Sequence, residues 1–404
     1  MKVAHINTFS FGSTGNIAKG ICKKIIDNGD IAYLFVPYET LNVQKADSNT
    51  RFFGNRFSRW VGAHLDVWTG FLNCFDIVNT ISLIRKLKRM KPDIIHLHNI
   101  HPSCVNISML FKYAKRKNIN VVWTLHDCWS FTGRCPYFDI LRCDQWKNGC
   151  KKCKYPLSSY PQSHINMSKY LYKKKRKIFN VLDKMVIVTP SLWLANLVKE
   201  SFLSKFPVKV INNGIDLNVF QPHESGFRIK YGLENKFIIL GVADVWDKRK
   251  GFDIFLELSK KSDSNYQIVL VGTNELNDRD LPPNVISIHK TYNQVDLVNI
   301  YSDADLFVNP TREDNYPTVN MESLACGTPV LTFETGGSAE IIDKTCGSSV
   351  RCEDIEGLIN EIDKIYKTKP FIKQNCLIKA QTFNKDYKFS EYLNLYEKTV
   401  KNHF

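Results

Sequence analysis

Residues 306–342 read LFVNPTREDNYPTVNMESLACGTPVLTFETGGSAEII. An apolar strand, Leu306–Asn309, runs into a loop, and a helix begins near Pro317, a residue suited to the first helical position. Gly327 closes that helix and Pro329 opens a second apolar strand, Val330–Phe333. A strand, a crossover helix and another strand make a parallel unit.

The same rhythm extends outward in both directions. Strand-like runs recur at Phe237–Val242, Gln267–Gly272 and Val285–His289, and earlier at Val3–Asn7, Ile31–Val36, Asp93–His98, Val121–His126 and Met185–Thr189. Runs such as IIL, VLV and LFV are apolar without alternation, as in strands covered by helices on both faces. Ile17, Ile21 and Ile25 mark a helix after Asn16, which reads as its N-cap, with Gly29 as its stop. A strand at Val208–Ile211 leads into Asn212-Asn213-Gly214, and the chain then wanders through Pro222 and Gly226. The expectation is α/β architecture with two Rossmann-like parallel-sheet domains facing across a cleft. The first covers 1–218 and the second 219–384, and a final helix within 385–404 packs back on the first.

With 404 residues, the chain exceeds what one hydrophobic core usually fills. No run of about 18 apolar residues offers a membrane span, and MKVAHINTF alternates like a strand, unlike an export signal. A cytoplasmic location is expected. The net charge is +15, but residues 1–200 hold 31 Lys+Arg against 12 Asp+Glu, while the remainder holds 24 against 28. An anionic partner for the first half follows. The run Lys173, Lys174, Lys175, Arg176, Lys177 contributes, or is a solvated helix face. Of the 12 cysteines, Cys135, Cys143, Cys150 and Cys153 are spaced C-x7-C-x6-C-x2-C. Four such thiols can wrap a structural zinc, which leaves no open position for catalysis; the other reading is four free thiols in a loop.

In open α/β sheets ligands meet the loops after the strands. After the first strand, Gly12 and Gly15 let backbone approach a ligand at a helix start. After the fourth, His126 and Asp127 stand where an imidazole could donate to a substrate hydroxyl or leaving oxygen and the carboxylate orient it. His96, His98 and His101 are weaker, for lack of a third well-placed ligand. In the quoted stretch, Asp314 and Glu322 lie eight apart, one on the loop and one on the helix. Between them the amides of Tyr316, Thr318 and Val319 suit a phosphate, and Glu313 reads as a solvated loop acid. Lys250, with Arg249 beside it in VADVWDKRKGFD, supplies a cation for a diphosphate. Gly336, Gly337 and Glu340 repeat the loop-to-helix theme.

These residues resemble the retaining nucleotide-sugar glycosyltransferases of family 4, which have the GT-B fold. The resemblance runs through GSTGN, TLHD, TPSLWLANLV, INNGID, KRKGFD and the acidic pair with SLACGTPVLTFETGGSAEII. It is strongest toward enzymes that build bacterial surface polysaccharides such as colanic acid or capsule. It implies that Asp314 stands where the family carries the first glutamate of an E-x7-E motif, near the anomeric carbon. Glu322 matches the second, on the ribose hydroxyls; His126 the histidine on the transferred sugar; Lys250 the lysine on the diphosphate. Asp244 occupies the place of an arginine common in relatives, which Arg249 would have to replace. The resemblance also implies front-face transfer of a hexose-type sugar with retention, no active-site metal or other cofactor, and a nucleotide diphosphate sugar donor. The acceptor is expected to be a glycan, or one linked to polyprenyl diphosphate, and the basic half a peripheral dock on the anionic inner leaflet. The alternatives are a sugar-nucleotide epimerase of the same fold and a basic nucleic-acid binder, for which no recognition motif is present; nucleic acid is not an expected partner.

Overall fold

A computed structural model describes residues 1–261, 264–291 and 293–401. The chain divides into two compact units, Met1–Asn212 with Asp386–Phe404, and Asn213–Lys385. Residues 402–404 of the final segment 385–404 lie outside the described residues.

The first unit is built on β1 (Lys2–Ile6), β2 (Ile31–Pro37), β3 (Thr50–Phe53), β4 (Ile94–Leu97), β5 (Asn120–Thr124), β6 (Met185–Thr189) and β7 (Val208–Val210). They form one sheet in the order β3-β2-β1-β4-β5-β6-β7. The second unit holds β8 (Phe237–Val242), β9 (Tyr266–Val271), β10 (Val285–Ile288), β11 (Leu306–Asn309), β12 (Val330–Phe333) and β13 (Gly347–Val350), ordered β10-β9-β8-β11-β12-β13. Every neighbouring pair is parallel. Each sheet reverses its direction of growth once, between β1 and β4 and between β8 and β11. At such a point the loops leaving the two strands splay apart, and their carboxyl ends frame a crevice.

Alternation along the strands sorts the core into layers. Ala4, Ile6, Ile95, Leu97, Val121 and Trp123 face one side of the first sheet; Val3, Leu34, Ile94, Val122 and Val186 face the other. The second sheet divides likewise, with Leu240, Val269 and Phe307 on one face and Ile239, Leu270 and Val308 on the other. Both faces are covered, so both kinds of position are apolar.

Two boundaries differ from the sequence reading. The helix after β1 spans Gly12–Asp27 with Phe11 as its cap, so Asn16 lies inside it and does not start it. The isoleucine spacing marks the helix, but glycines in its first turn are tolerated because the amides there have no carbonyl to bond anyway. Pro317 is the cap of helix Thr318–Ala325, one position before its first turn. β3 and β13 went unread. Each is an edge strand, and GSSV of β13 offers one large apolar residue to a pattern search.

The last helix, Lys385–Val400, lays Phe389, Tyr392, Leu395 and Tyr396 on the first sheet with Val3, Ile21 and Val122. It also brings polar groups into that layer. The Tyr396 hydroxyl lies 2.6 Å from His96 Nδ1, and Thr124 Oγ1 lies 2.8 Å from His96 Nε2. The Tyr392 hydroxyl is 3.2 Å from the same threonine oxygen. Removing one partner of a buried pair leaves the other unsatisfied, at about 1–3 kcal/mol. Tyr396→Phe is therefore expected to lower the urea unfolding free energy by that amount. Tyr392→Phe is expected to cost less, because Thr124 keeps its contact with His96.

Candidate active site

In the second unit, two loops leave the strands that flank the switch point. The loop after β8 ends at Lys250 and Gly251, and the loop after β11 carries Arg312, Glu313 and Asp314. The Lys250 Nζ ammonium pairs with Asp314 Oδ2 at 2.5 Å, and both side chains are largely buried. The Lys250 amide donates to Asp247 Oδ1 at 2.9 Å, which fixes the turn from which the side chain departs. Arg249 donates to the Glu313 carbonyl at 3.1 Å, while its own carbonyl accepts the Arg312 amide at 2.8 Å. Asp244, at the position resembling a family arginine, is exposed. Glu313, expected as a solvated loop acid, is 5% exposed.

Arg312 is the residue that the sequence reading missed. It is 3% exposed, and its guanidinium forks onto Asp253 Oδ1 and Oδ2 at 2.7 and 2.9 Å and onto Glu353 Oε1 and Oε2 at 2.5 and 3.0 Å. It also donates to the Lys248 carbonyl at 2.5 Å. One side chain thus ties the loop after β8, the helix Phe252–Lys261 and the segment after β13 to the loop after β11. No local signal in the sequence marks it, since its partners Asp253 and Glu353 lie far away along the chain.

Beneath these loops runs a second framework of buried polar groups. Asn309 Nδ2 donates to Asn320 Oδ1 at 2.7 Å, Asn320 Nδ2 donates to Ser338 Oγ at 3.0 Å, and Ser338 Oγ lies 2.7 Å from Thr332 Oγ1. Thr332 Oγ1 in turn donates to the Asn309 carbonyl at 2.9 Å. The ring of contacts joins the ends of β11 and β12 to the helix and to the Gly336-Gly337 loop. That loop stacks on the acidic one. Gly336 has φ +56°, and a Cβ there would meet the Asp314 carbonyl oxygen at 1.7 Å; the Gly337 amide donates to the Asn315 carbonyl at 2.8 Å. Only glycine fits this approach.

Helix Thr318–Ala325 rises from the acidic loop and presents the first-turn amides of Thr318 and Val319, which have no helical carbonyl before them. The Tyr316 ring is buried in the core, 6.5 Å from Phe383. Glu322 sits one turn in, where the Tyr301 hydroxyl donates to Oε2 at 3.5 Å. Burial raises its carboxyl from the ordinary range to about 7, against the opposing effect of hydrogen bonds from Thr318 and Tyr301.

The first unit gathers imidazoles at the carboxyl ends of β1, β4 and β5. His5 and His96 stand side by side in the ladder. His5 Nδ1 lies 3.0 Å from His98 Nε2, and His98 Nδ1 lies 3.3 Å from His126 Nε2, so three rings form a chain. Burial pushes His126 down to about 4 and His5 to about 3, with His96 and His98 also well below the ordinary range. The rings are neutral at pH 7, each able to donate from one nitrogen and accept at the other.

Two expectations need correction here. Asp127 was expected to orient His126, but its Oδ2 lies 3.1 Å from His101 Nε2 and its Oδ1 accepts the Trp129 amide at 2.8 Å. Burial alone would raise this carboxyl, but His101 and that amide outweigh it and leave Asp127 below its ordinary range. The third imidazole thought to be lacking beside His96 and His98 is His5; ligand nitrogens of the three lie within 4.8 Å of one another. It was hidden in β1, KVAHI, as one member of an alternating strand. The trio is buried without a carboxylate among its ring contacts, which disfavours a bare dication and suits neutral rings bonded to one another. Gly12 and Gly15 open the helix after β1, and a Cβ on Gly15 would meet the Ser10 carbonyl carbon at 2.8 Å.

Comparison with known proteins adds a second line. Residues 224–382 match the family model described as Glycosyl transferases group 1, and residues 51–219 that described as Glycosyltransferase Family 4. The WcaC protein of Escherichia coli (strain K12), assigned to colanic acid biosynthesis as a glycosyl transferase, is 26% identical over 277 residues, covering 66% of each chain. The chain thus spans about two thirds of that relative's length. Sucrose-phosphate synthase from Thermosynechococcus elongatus aligns with a TM-score of 0.72 and 15% identity over 100% of both chains. Anabaena Alr3699/HepE in complex with UDP gives 0.71 and 14%, over 98% of this chain and 100% of that one. At such identities these two structures establish the fold.

Two measurements check the geometry. Arg312→Lys cannot fork onto both carboxylates, and is expected to lower the unfolding free energy by about 1–3 kcal/mol. For Glu322, the folded chain binds the proton more tightly than the unfolded one, whose carboxyl titrates near 4.5. Stability therefore falls as pH rises from there through about 7, and the penalty is complete above it. Glu322→Gln is expected to gain on the order of 1–3 kcal/mol over wild type at pH 8 and nothing at pH 4; an equal gain at both would exclude the buried carboxylate as its origin.

Proposed function

The chain belongs to the family 4 glycosyltransferases, with two parallel-sheet domains of GT-B type, and from that premise we propose that it moves a hexose-type sugar from a nucleoside diphosphate sugar to a lipid-linked glycan, with retention, during surface polysaccharide assembly. The observation that carries the reading is the pairing of Lys250 with Asp314 at the switch point of the second sheet, one loop away from Glu322 and the amides of Thr318 and Val319. A diphosphate brings two negative charges, and a largely buried ammonium beside a helix N-terminus is the matching partner. On donor binding the Lys250 ammonium shifts from Asp314 to the diphosphate, with Arg249 beside it in place of the family arginine. Asp314 is then free to face the positive charge that develops at the anomeric carbon.

Glu322 accepts hydrogen bonds from the ribose hydroxyls. His126, neutral and backed by His98, donates to a hydroxyl of the transferred sugar without adding a cation. In the reaction, the bond between the anomeric carbon and the diphosphate oxygen breaks. The acceptor hydroxyl bonds to that carbon on the same face, and its proton passes to the departing phosphate. Lys250, Arg249 and the helix-end amides stabilise the leaving group most where its charge is greatest, which lowers the barrier. No step calls on a metal ion.

The acceptor half of the reading rests on an exposed aromatic face. Helix Arg56–Thr69 leaves Phe57, Trp60, Leu65 and Trp68 between 41% and 73% exposed. The Trp68 ring lies 5.1 Å from His164, and nearby Tyr170, also exposed, has Lys174 over its ring at 5.7 Å. Exposed aromatic side chains with cations beside them fit the headgroup level of an anionic leaflet. This face would hold the enzyme on the surface, peripherally, where a polyprenyl-diphosphate-linked glycan is presented. Among the described residues no helix is long and apolar enough to cross a membrane.

Three outcomes test the proposal. Lys250→Ala and Glu322→Ala are each expected to cut transfer efficiency at least about tenfold, ~1.4 kcal/mol, and wild-type turnover in both rejects the site. Because the ribose hydroxyls bond the ionised carboxylate, calorimetric affinity for a UDP- or GDP-sugar should rise with pH through about 7 and then level off; Glu322→Gln should flatten the profile. The Trp60→Ala/Trp68→Ala chain should float with phosphatidylglycerol vesicles much less than wild type. Flotation of wild type that ignores anionic lipid content would count against the dock.

A further inference from the structure

The four cysteines singled out in the sequence all line one small cavity of about 10 Å³ in the first unit, together with Phe138, Trp146 and Tyr155. Room of that size suits a single atom. Cys135 and Cys150 are buried, Cys143 and Cys153 partly so, and none is in a disulfide.

Three features of the surrounding chain point to an anionic centre. The first is charge. Lys175 and Arg134, each 1% exposed, are turned into this region. The Lys175 ammonium donates to the Trp129 and Thr132 carbonyls at 2.7 and 3.3 Å and lies 3.5 Å from the Trp129 ring centroid. Arg134 donates to the carbonyls of Tyr155, Pro156 and Pro161. Neither forms an ion pair with a carboxylate among the described residues. Asp127, a carboxylate that acts on Lys175 at a distance, is taken by His101 and the Trp129 amide. Lysine and arginine are almost never fully buried without a counter-charge.

The second feature is a donor aimed at sulfur: the Gly133 amide points to Cys150 Sγ at 3.2 Å. The third is backbone strain. Cys150 is held at φ +48° and Arg142, just before Cys143, at φ +46°, in the left-handed region that side chains avoid unless something fixes their direction.

We propose that Cys135, Cys143, Cys150 and Cys153 bind one zinc ion as a tetrathiolate, and that Lys175 and Arg134 neutralise it. Zinc with four thiolates carries a net charge of −2, which two buried cations cancel. Binding releases the four thiol protons to solvent, and no redox partner is involved. Zinc–sulfur bonds are about 2.3 Å, so the sulfurs of a closed site stand about 3.8 Å apart. Among the described residues only the histidine trio brings its ligand atoms within 4.8 Å, so loading draws the thiols inward. With no open coordination position, the ion is structural. It clamps the loop whose Trp129 amide holds Asp127, next to His126.

The test uses the full chain, expressed in a reducing cytosol and purified without chelator. One zinc per chain by plasma mass spectrometry is expected, and exchange with cobalt should give the intense visible bands of a tetrahedral thiolate site. Cys143→Ser/Cys153→Ser, altering the two less buried thiols, should lose the metal, while Cys352→Ser, an exposed thiol in the other unit, should keep it. Wild type without zinc that also gives no thiolate spectrum with cobalt overturns the proposal, as does zinc retained in a folded double variant, or a disulfide between any two of the four. If the double variant does not fold, the cobalt spectrum of wild type decides. Lys175→Met should reduce zinc occupancy or hasten its loss to a competing chelator; unchanged release would remove the charge-balance argument.

Discussion

The second unit's site depends on one buried guanidinium. Loops at the carboxyl edge of a parallel sheet have no ladder of their own, and they hold a geometry only if side chains cross between them. Arg312 makes that crossing, with two carboxylates and a backbone carbonyl on a single planar fork. Because the two carboxylates are about half exposed while the guanidinium is not, the partners can relax into water but the arginine cannot. It therefore acts as a fixed post. Lys250 on one loop and Asp314 on the other meet because this post spaces them.

Charge is managed differently in the two units. The second pairs Lys250 with Asp314 and Arg312 with Asp253 and Glu353, so that neither of these cations is left bare. The first collects imidazoles and strips them of charge through burial. A chain of neutral rings can pass hydrogen-bond direction from His5 to His126 without moving a net charge, and it provides a donor at its outer end. Beside His5 in the ladder, His96 is held apart from that chain of rings by Tyr396 of the last helix and by Thr124.

A basic excess in the first half is thus not one feature but several. Most lysines and arginines remain on the surface. Lys175 and Arg134 do not. They are buried against backbone carbonyls of the segments around the cysteine cavity, and they mark the difference between a charge that solubilises and one that is taken out of water.

The sequence alone decided the class of fold. Continuous apolar runs, helix caps and turn glycines are local signals, and they located eleven strands, the parallel crossovers, the loops that carry Lys250, Asp314 and His126, and the helix that carries Glu322. It left unread what rests on residues far apart in the chain. Arg312 meets Asp253 and Glu353, His5 meets His98 across a ladder, Asp127 chooses His101 over its neighbour His126, and Tyr396 caps His96 from the far end of the chain. Edge strands β3 and β13 escaped because an edge needs no continuous apolar run. Propensity and periodicity act over a turn or two of chain, whereas pairing of buried polar groups is settled only when folding brings distant segments within about 3 Å of one another.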